Sequence, residues 1–160
     1  MFGARVVLVS KPNGVMQTRA VPVAEFLVGP GKTSRAPGEL LTAVEIEAPP
    51  PGFISEFFKF GIRPALDIST ISIGLGGVRE GERLRNVRVA IGAVAPTVIR
   101  APHVEEALEG KELDEATIAA AAAAAGRDIR PITDVRASDW YRRELVRNML
   151  EGMLSNVGHG

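Results

Sequence analysis

Lys59, Arg63 and Asp67 stand four residues apart among apolar neighbours. Two cations and a carboxylate at the entrance to a strand have two chemical uses. They can neutralise one another on the surface, where an ion pair contributes little. They can also hold an anionic or polar ring ligand, which needs fixed charge beside apolar surface. Pro64 breaks any helix between them, so the trio belongs to an irregular connection, and both readings stand at the level of residue type.

Other chemistries find less support. His103 and His159 lie far apart with no companion ligands, and a metal site needs three or four converging donors; His103 reads as a surface histidine. Gly29-Pro30-Gly31-Lys32-Thr33 has the ending of a phosphate loop, but the position for its first glycine is Phe26, and Pro37-Gly38 follows where a helix must start. Gly74-Leu75-Gly76-Gly77 lacks the last glycine of a dinucleotide fingerprint, since that place is Arg79; a hairpin turn accounts for these glycines. No serine sits in a Gly-x-Ser-x-Gly elbow. The absence of cysteine removes disulfides, thiol catalysis, cysteine zinc sites and iron–sulfur ligation by this chain.

The elements that must position the trio follow from pattern. Residues 4–9 read as a strand, Lys11-Pro12-Asn13-Gly14 as a turn, and residues 16–21 as the returning strand of a hairpin. A helical turn is expected at residues 23–27, a loop at 32–38, and a strand at 39–48 ended by Pro49-Pro50-Pro51-Gly52. Residues 53–60 hold four of the six phenylalanines and read as a strand. Alternation then marks strands over 67–75 and 84–94, with turns at Gly76-Gly77 and Glu80-Gly81-Glu82. After Pro96 the chain reads helical. One helix runs from Pro102 to Leu108 and is closed by Gly110. A second is capped by Asp114 and runs through seven alanines to Gly126. The third is capped by Ser138 and runs to about Leu154. In that last helix Tyr141, Leu145, Met149 and Met153, widened by Val146, Leu150 and Leu154, form the apolar stripe, and Arg142, Arg143 and Arg147 read as its solvated face. Strands first and helices last give an α+β fold, a small antiparallel meander packed with C-terminal helices and preceded by a hairpin.

The chain has 160 residues, 19 basic and 19 acidic, for a formal net charge of zero. That length suits one domain with an appended piece. Zero net charge gives no electrostatic reason to expect a nucleic-acid partner. No apolar run is long enough to span a bilayer, and the N-terminus lacks a signal-peptide core, so a cytoplasmic location is expected. A sheet edge that begins at Met1 suggests that something upstream is missing.

Ordered motifs then carry a resemblance. The run Phe57-Phe58-Lys59-Phe60-Gly61-Ile62-Arg63-Pro64-Ala65-Leu66-Asp67-Ile68-Ser69 resembles a signature of the flavoprotein (medium) subunits of molybdenum hydroxylases, such as the carbon monoxide dehydrogenase medium chain and the FAD domain of xanthine dehydrogenase. Residues 89–97, Arg100-Ala101-Pro102, 108–111, 113–118, 132–138 and Tyr141-Arg142-Arg143 continue the likeness. Upstream, residues 26–33 and 37–41 are similar to the end of that family's FAD-binding domain. The resemblance implies that residues 1–50 are the C-terminal remnant of the FAD-binding domain and residues 51–160 the flavoprotein C-terminal domain. It implies FAD as cofactor, held together with an N-terminal half whose Gly-rich loops wrap the pyrophosphate. It places Lys59, Arg63, Asp67, Ile68 and Ser69 near the flavin ring. The implied partners are an iron–sulfur small subunit and a molybdenum-cofactor large subunit, with a homodimer as a further option. In such a complex, electrons pass from iron–sulfur clusters through FAD to an acceptor. The alternative is a cofactor-free assembly or interaction module that docks through apolar surface such as the Phe-rich strand.

Overall fold

The computed structural model describes residues 2–63 and 67–158. Pro64, Ala65, Leu66 and His159, invoked above, lie outside those residues. The chain divides into two compact units, Phe2–Pro49 and the residues from Pro50 onward.

In the first unit, β1 (Arg5–Ser10) and β2 (Gln17–Pro22) form the expected hairpin. Its turn, Pro12–Gly14, places Asn13 at φ 51° and Gly14 at φ 83°, conformations those two residues adopt at least cost. A four-residue helix α1 (Val23–Phe26) leads into β3 (Leu27–Gly29), which pairs with β4 (Lys32–Thr33). Gly29-Pro30-Gly31 is thus a hairpin turn, not a phosphate loop, and the loop expected at 32–38 begins with two paired residues. β5 (Leu40–Glu45) completes a sheet of order β2-β1-β5. Val6, Leu8, Val21 and Phe26 are its buried core. The carboxylate of Glu39, just before β5, takes two bonds from the Arg19 guanidinium, at 2.6 and 2.8 Å.

The second unit holds a four-stranded antiparallel meander, β6 (Phe53–Phe60), β7 (Ile71–Glu80), β8 (Arg83–Gly92) and β9 (Ile99–Arg100), in sequence order. Three helices follow: α2 (Pro102–Leu108), α3 (Glu115–Asp128) and α4 (Asp139–Gly158). α2 packs on β8, α4 packs on β7, and α3 lies against both α2 and α4. Ile71, Ile73, Leu75, Val89 and Ile91 from the sheet meet Val104, Leu108, Val146, Leu150 and Leu154 from the helices. Four of the seven consecutive alanines in α3, at 121, 122, 124 and 125, are buried, and their small side chains suit a helix that lies against two others. The fold is α+β, with the sheet and helix order that patterning implies.

Four expectations need correction. The strand expected over 67–75 begins at Ile71 and continues through Gly76-Gly77 to Glu80. Those glycines are not a turn: the register shifts between Gly76 and Val78, and a Cβ on Gly77 would stand 3.2 Å from the Arg85 carbonyl on the neighbouring strand. Gly126 does not end α3, because the Ile129 amide still bonds back to the Ala125 carbonyl. Arg142 is not solvated but 3% exposed. It lies four residues before Val146, at the start of the buried stripe, and its charge is neutralised there. Both predicted caps form: Asp114 accepts from the Thr117 amide at 2.7 Å and Ser138 from the Tyr141 amide at 3.1 Å.

Candidate functional site

Phe60 stands opposite Ile71 in the β6–β7 register, so residues 61–70 make the connection at one end of the sheet. The Thr70 amide donates to the Phe60 carbonyl at 2.7 Å and closes it. Within it Asp67 is a bracket. One carboxylate oxygen accepts from the Ile62 and Arg63 amides at 2.7 and 3.0 Å, and the other from the Ile68 amide at 2.9 Å. A Cβ on Gly61 would come within 3.3 Å of that carboxylate, so glycine leaves room for the close approach. The Arg63 amide above all, with those of Ile62 and Ile68 and the Arg63 charge, holds the Asp67 carboxyl below its ordinary range against the opposing effect of burial.

The two cations of the trio behave differently. Lys59 donates from Nζ to the Asp67 main-chain carbonyl at 2.5 Å, tying the end of β6 to the bracket. The Arg63 guanidinium lies 3.8 Å from the carboxylate and its side chain is 72% exposed, a loose ion pair with donors to spare. Arg63, Asp67, Ile68 and Ser69 therefore lie on one connection, and Lys59 reaches it from the end of β6. The carboxylate serves the backbone, and what is exposed is the Arg63 side chain and Ile68.

A second anchor was missed by pattern reading. Arg142 donates from Nη1 to the carbonyls of Thr70 and Ala93, at 2.8 and 2.6 Å, and from Nη2 to Asp134 at 2.8 Å. Ala93 has φ 64°, a left-handed backbone in a residue that is not glycine, so the bond to its carbonyl holds a costly conformation. Asp134 is pulled down to about 2, first by the Arg136 amide and then by the Arg142 guanidinium. Arg142 thus clamps Thr70, three residues after the bracket, to α4 and to the end of β8. Tyr141 adds an edge-on ring contact to Phe60 at 6.5 Å. The signal in sequence is the place of Arg142 at the start of the apolar stripe, three residues before Leu145 and four before Val146, where a charge requires a partner.

His103 is also more than a surface residue. Its ring nitrogen lies 2.5 Å from Asp128, whose side chain is 3% exposed, and the pair ties the start of α2 to the end of α3. Among the described residues no cluster of metal-ligating side chains exists, and no helix is long and apolar enough to cross a membrane.

The connection sets exposed apolar surface beside a cation. Ile68 is 63% exposed and Ser69 is half-buried.

Residues 56–157 match the model of the CO dehydrogenase flavoprotein C-terminal domain, and the chain belongs to that family. Its relatives include the xanthine dehydrogenase FAD-binding subunit of Escherichia coli O157:H7. The two are 32% identical over 150 residues, which are 93% of this chain and 50% of that subunit. The glyceraldehyde dehydrogenase medium chain of Sulfolobus acidocaldarius is 31% identical over 141 residues, 88% of this chain and 48% of that one. Among solved structures, carbon monoxide dehydrogenase from Hydrogenophaga pseudoflava superposes with a TM-score of 0.85 at 28% identity, covering 94% of this chain and 51% of that chain. Quinoline 2-oxidoreductase from Pseudomonas putida 86 gives 0.85 at 28%, covering 99% and 53%. The chain spans about half the length of these relatives.

Proposed function

We propose that this chain supplies the ring side of an FAD site in a molybdenum-hydroxylase-type oxidoreductase. In this reading residues 1–50 are the end of an FAD-binding domain, and the remaining FAD contacts come from the half of the flavoprotein that the chain does not span. FAD, when bound, accepts electrons from iron–sulfur clusters and delivers them to an acceptor. The chain's own residues orient the ring. Asp67 fixes the backbone ahead of Ile68 and Ser69, Arg63 offers a cation near the ring, and Arg142 keeps Thr70 in place. An iron–sulfur small subunit and a molybdenum-cofactor large subunit are the proposed partners, and the cytoplasm the proposed location.

The observation that carries the reading is the Asp67 bracket, which fixes the backbone beside the exposed Ile68 and the exposed Arg63 side chain. The test is flavin affinity of the complete flavoprotein with Asp67→Ala. Three backbone amides lose their carboxylate acceptor, which frees the connection, and flavin binding weakens by about tenfold or more. Unchanged affinity would show that the bracket merely closes a surface loop. A cofactor-free docking role has one observation in its favour, Phe57, which is 70% exposed on edge strand β6.

A further inference from the structure

The loop between α3 and α4 is tied down from within. The Asp134 amide donates to the Ala137 carbonyl at 3.0 Å. The Asp134 carboxylate accepts from the Arg136 and Ala137 amides at 2.9 and 3.2 Å. At the end of the loop the Asp139 amide donates to the Thr133 hydroxyl at 3.0 Å, and that hydroxyl donates back to the Asp139 carboxylate at 3.2 Å. Asp134 is therefore a fixed anion, and its Oδ1 accepts from Arg142 Nη2 as well. Two neighbouring connections hang from it. Residues 67–70 lead into β7 and residues 93–98 leave β8, and Ser72 stands opposite Gly92, so both lie at the same end of the sheet. The Arg142 guanidinium reaches one carbonyl from each, those of Thr70 and Ala93. The Arg130 amide adds a bond from the loop to the Val94 carbonyl at 2.9 Å.

As a stabilising device this cluster is poor. Arg142 Nε and the Thr70 hydroxyl are buried without a partner, and unsatisfied buried groups oppose folding. The left-handed Ala93 adds strain. A buried ion pair is often no more stable than apolar side chains of the same volume, and its best-attested use is to fix one geometry. The geometry fixed here is that of the backbone directly after Asp67, Ile68 and Ser69.

We infer that Asp134 is a positioning residue for the flavin, acting through the Arg142 guanidinium to set where residues 67–70 hold the ring. The inference rests on the proposed function. The distance from the ring to the Arg63 cation and to the peptide dipoles of this stretch depends on that chain of bonds, and a cation near the ring favours the reduced, anionic flavin.

The test is made on the complete flavoprotein with FAD bound. Asp134→Asn keeps the shape and an acceptor for the two amides but gives up the charge that holds Arg142. Arg142→Lys keeps a charge but replaces a planar fork by a point donor. Each shifts the two-electron midpoint potential of the bound flavin by about 30 mV or more, the equivalent of a tenfold change in the ratio of its affinities for oxidised and reduced flavin. Leu154→Ala is the control. Leu154 is fully buried and lies about 18 Å along α4 from Arg142. Its truncation lowers the melting temperature and leaves the potential where it was. A potential unmoved in both variants overturns the inference, and so does an equal shift in Leu154→Ala. Loss of flavin from Asp134→Asn but not from Leu154→Ala supports it. If Arg142→Lys does not fold, Asp134→Asn decides. A natural flavoprotein that binds no flavin sinks the proposed function and the inference together, whereas bound flavin with an unmoved potential sinks the inference alone.

Discussion

Arg142→Met removes a guanidinium that is 3% exposed and keeps most of its volume. Three partners lose their donor: the Thr70 and Ala93 carbonyls and the Asp134 carboxylate. Breaking a buried ion pair by deleting one member costs about 3–5 kcal/mol, because the other charge and the carbonyls stay behind unpaired. Asp134 keeps the Arg136 and Ala137 amides at 2.9 and 3.2 Å and is 26% exposed, which argues for the low end, about 3 kcal/mol. At a urea slope of about 2 kcal/mol per molar, the midpoint falls by about 1.5 M. Hydrogen exchange locates the effect: the Thr70 amide, which bonds to Phe60, and the amides after Ala93 lose protection first. A loss below about 0.5 kcal/mol, the scale of a surface pair, would refute the clamp.

Gly77→Ala pushes a methyl against the Arg85 carbonyl at the β7–β8 bulge and lowers stability by about 1–2 kcal/mol in thermal or urea melts, whereas Gly126→Ala, with open space around it, costs nothing. Glu39 is lowered to about 2 by Arg19 and then by the Ala36 amide. A carboxylate depressed below its unfolded value of 4.5 adds stability that is complete above that pH and fades as pH falls toward 2. Circular dichroism during acid titration therefore shows a steeper loss for the natural protein than for Glu39→Gln over that window.

The meander and the three late helices were legible because alternation, caps and a 3.6-residue stripe agree over long segments. The start of β7 was not. Residues 67–69 alternate like a strand, but Asp67 spends its carboxylate on local amides, a competition that periodicity does not register. Gly76-Gly77 looks like a turn because the same residue serves close strand approach and reversal alike. Lys59, Arg63 and Asp67 were legible as a group, but their roles were not, since spacing says nothing of whether a carboxylate faces outward or inward. Arg142 was hidden by the habit of arginine to lie in solvent; only the partners in space, Thr70, Ala93 and Asp134, reveal why it is buried.

The most direct measurement is the visible absorption spectrum of this chain combined with the other half of its flavoprotein, after incubation with excess FAD and desalting. A retained flavin band that Asp67→Ala diminishes is the predicted result. A spectrum with no flavin band, from a sample in which both halves are folded and associated, would contradict the proposed flavin site.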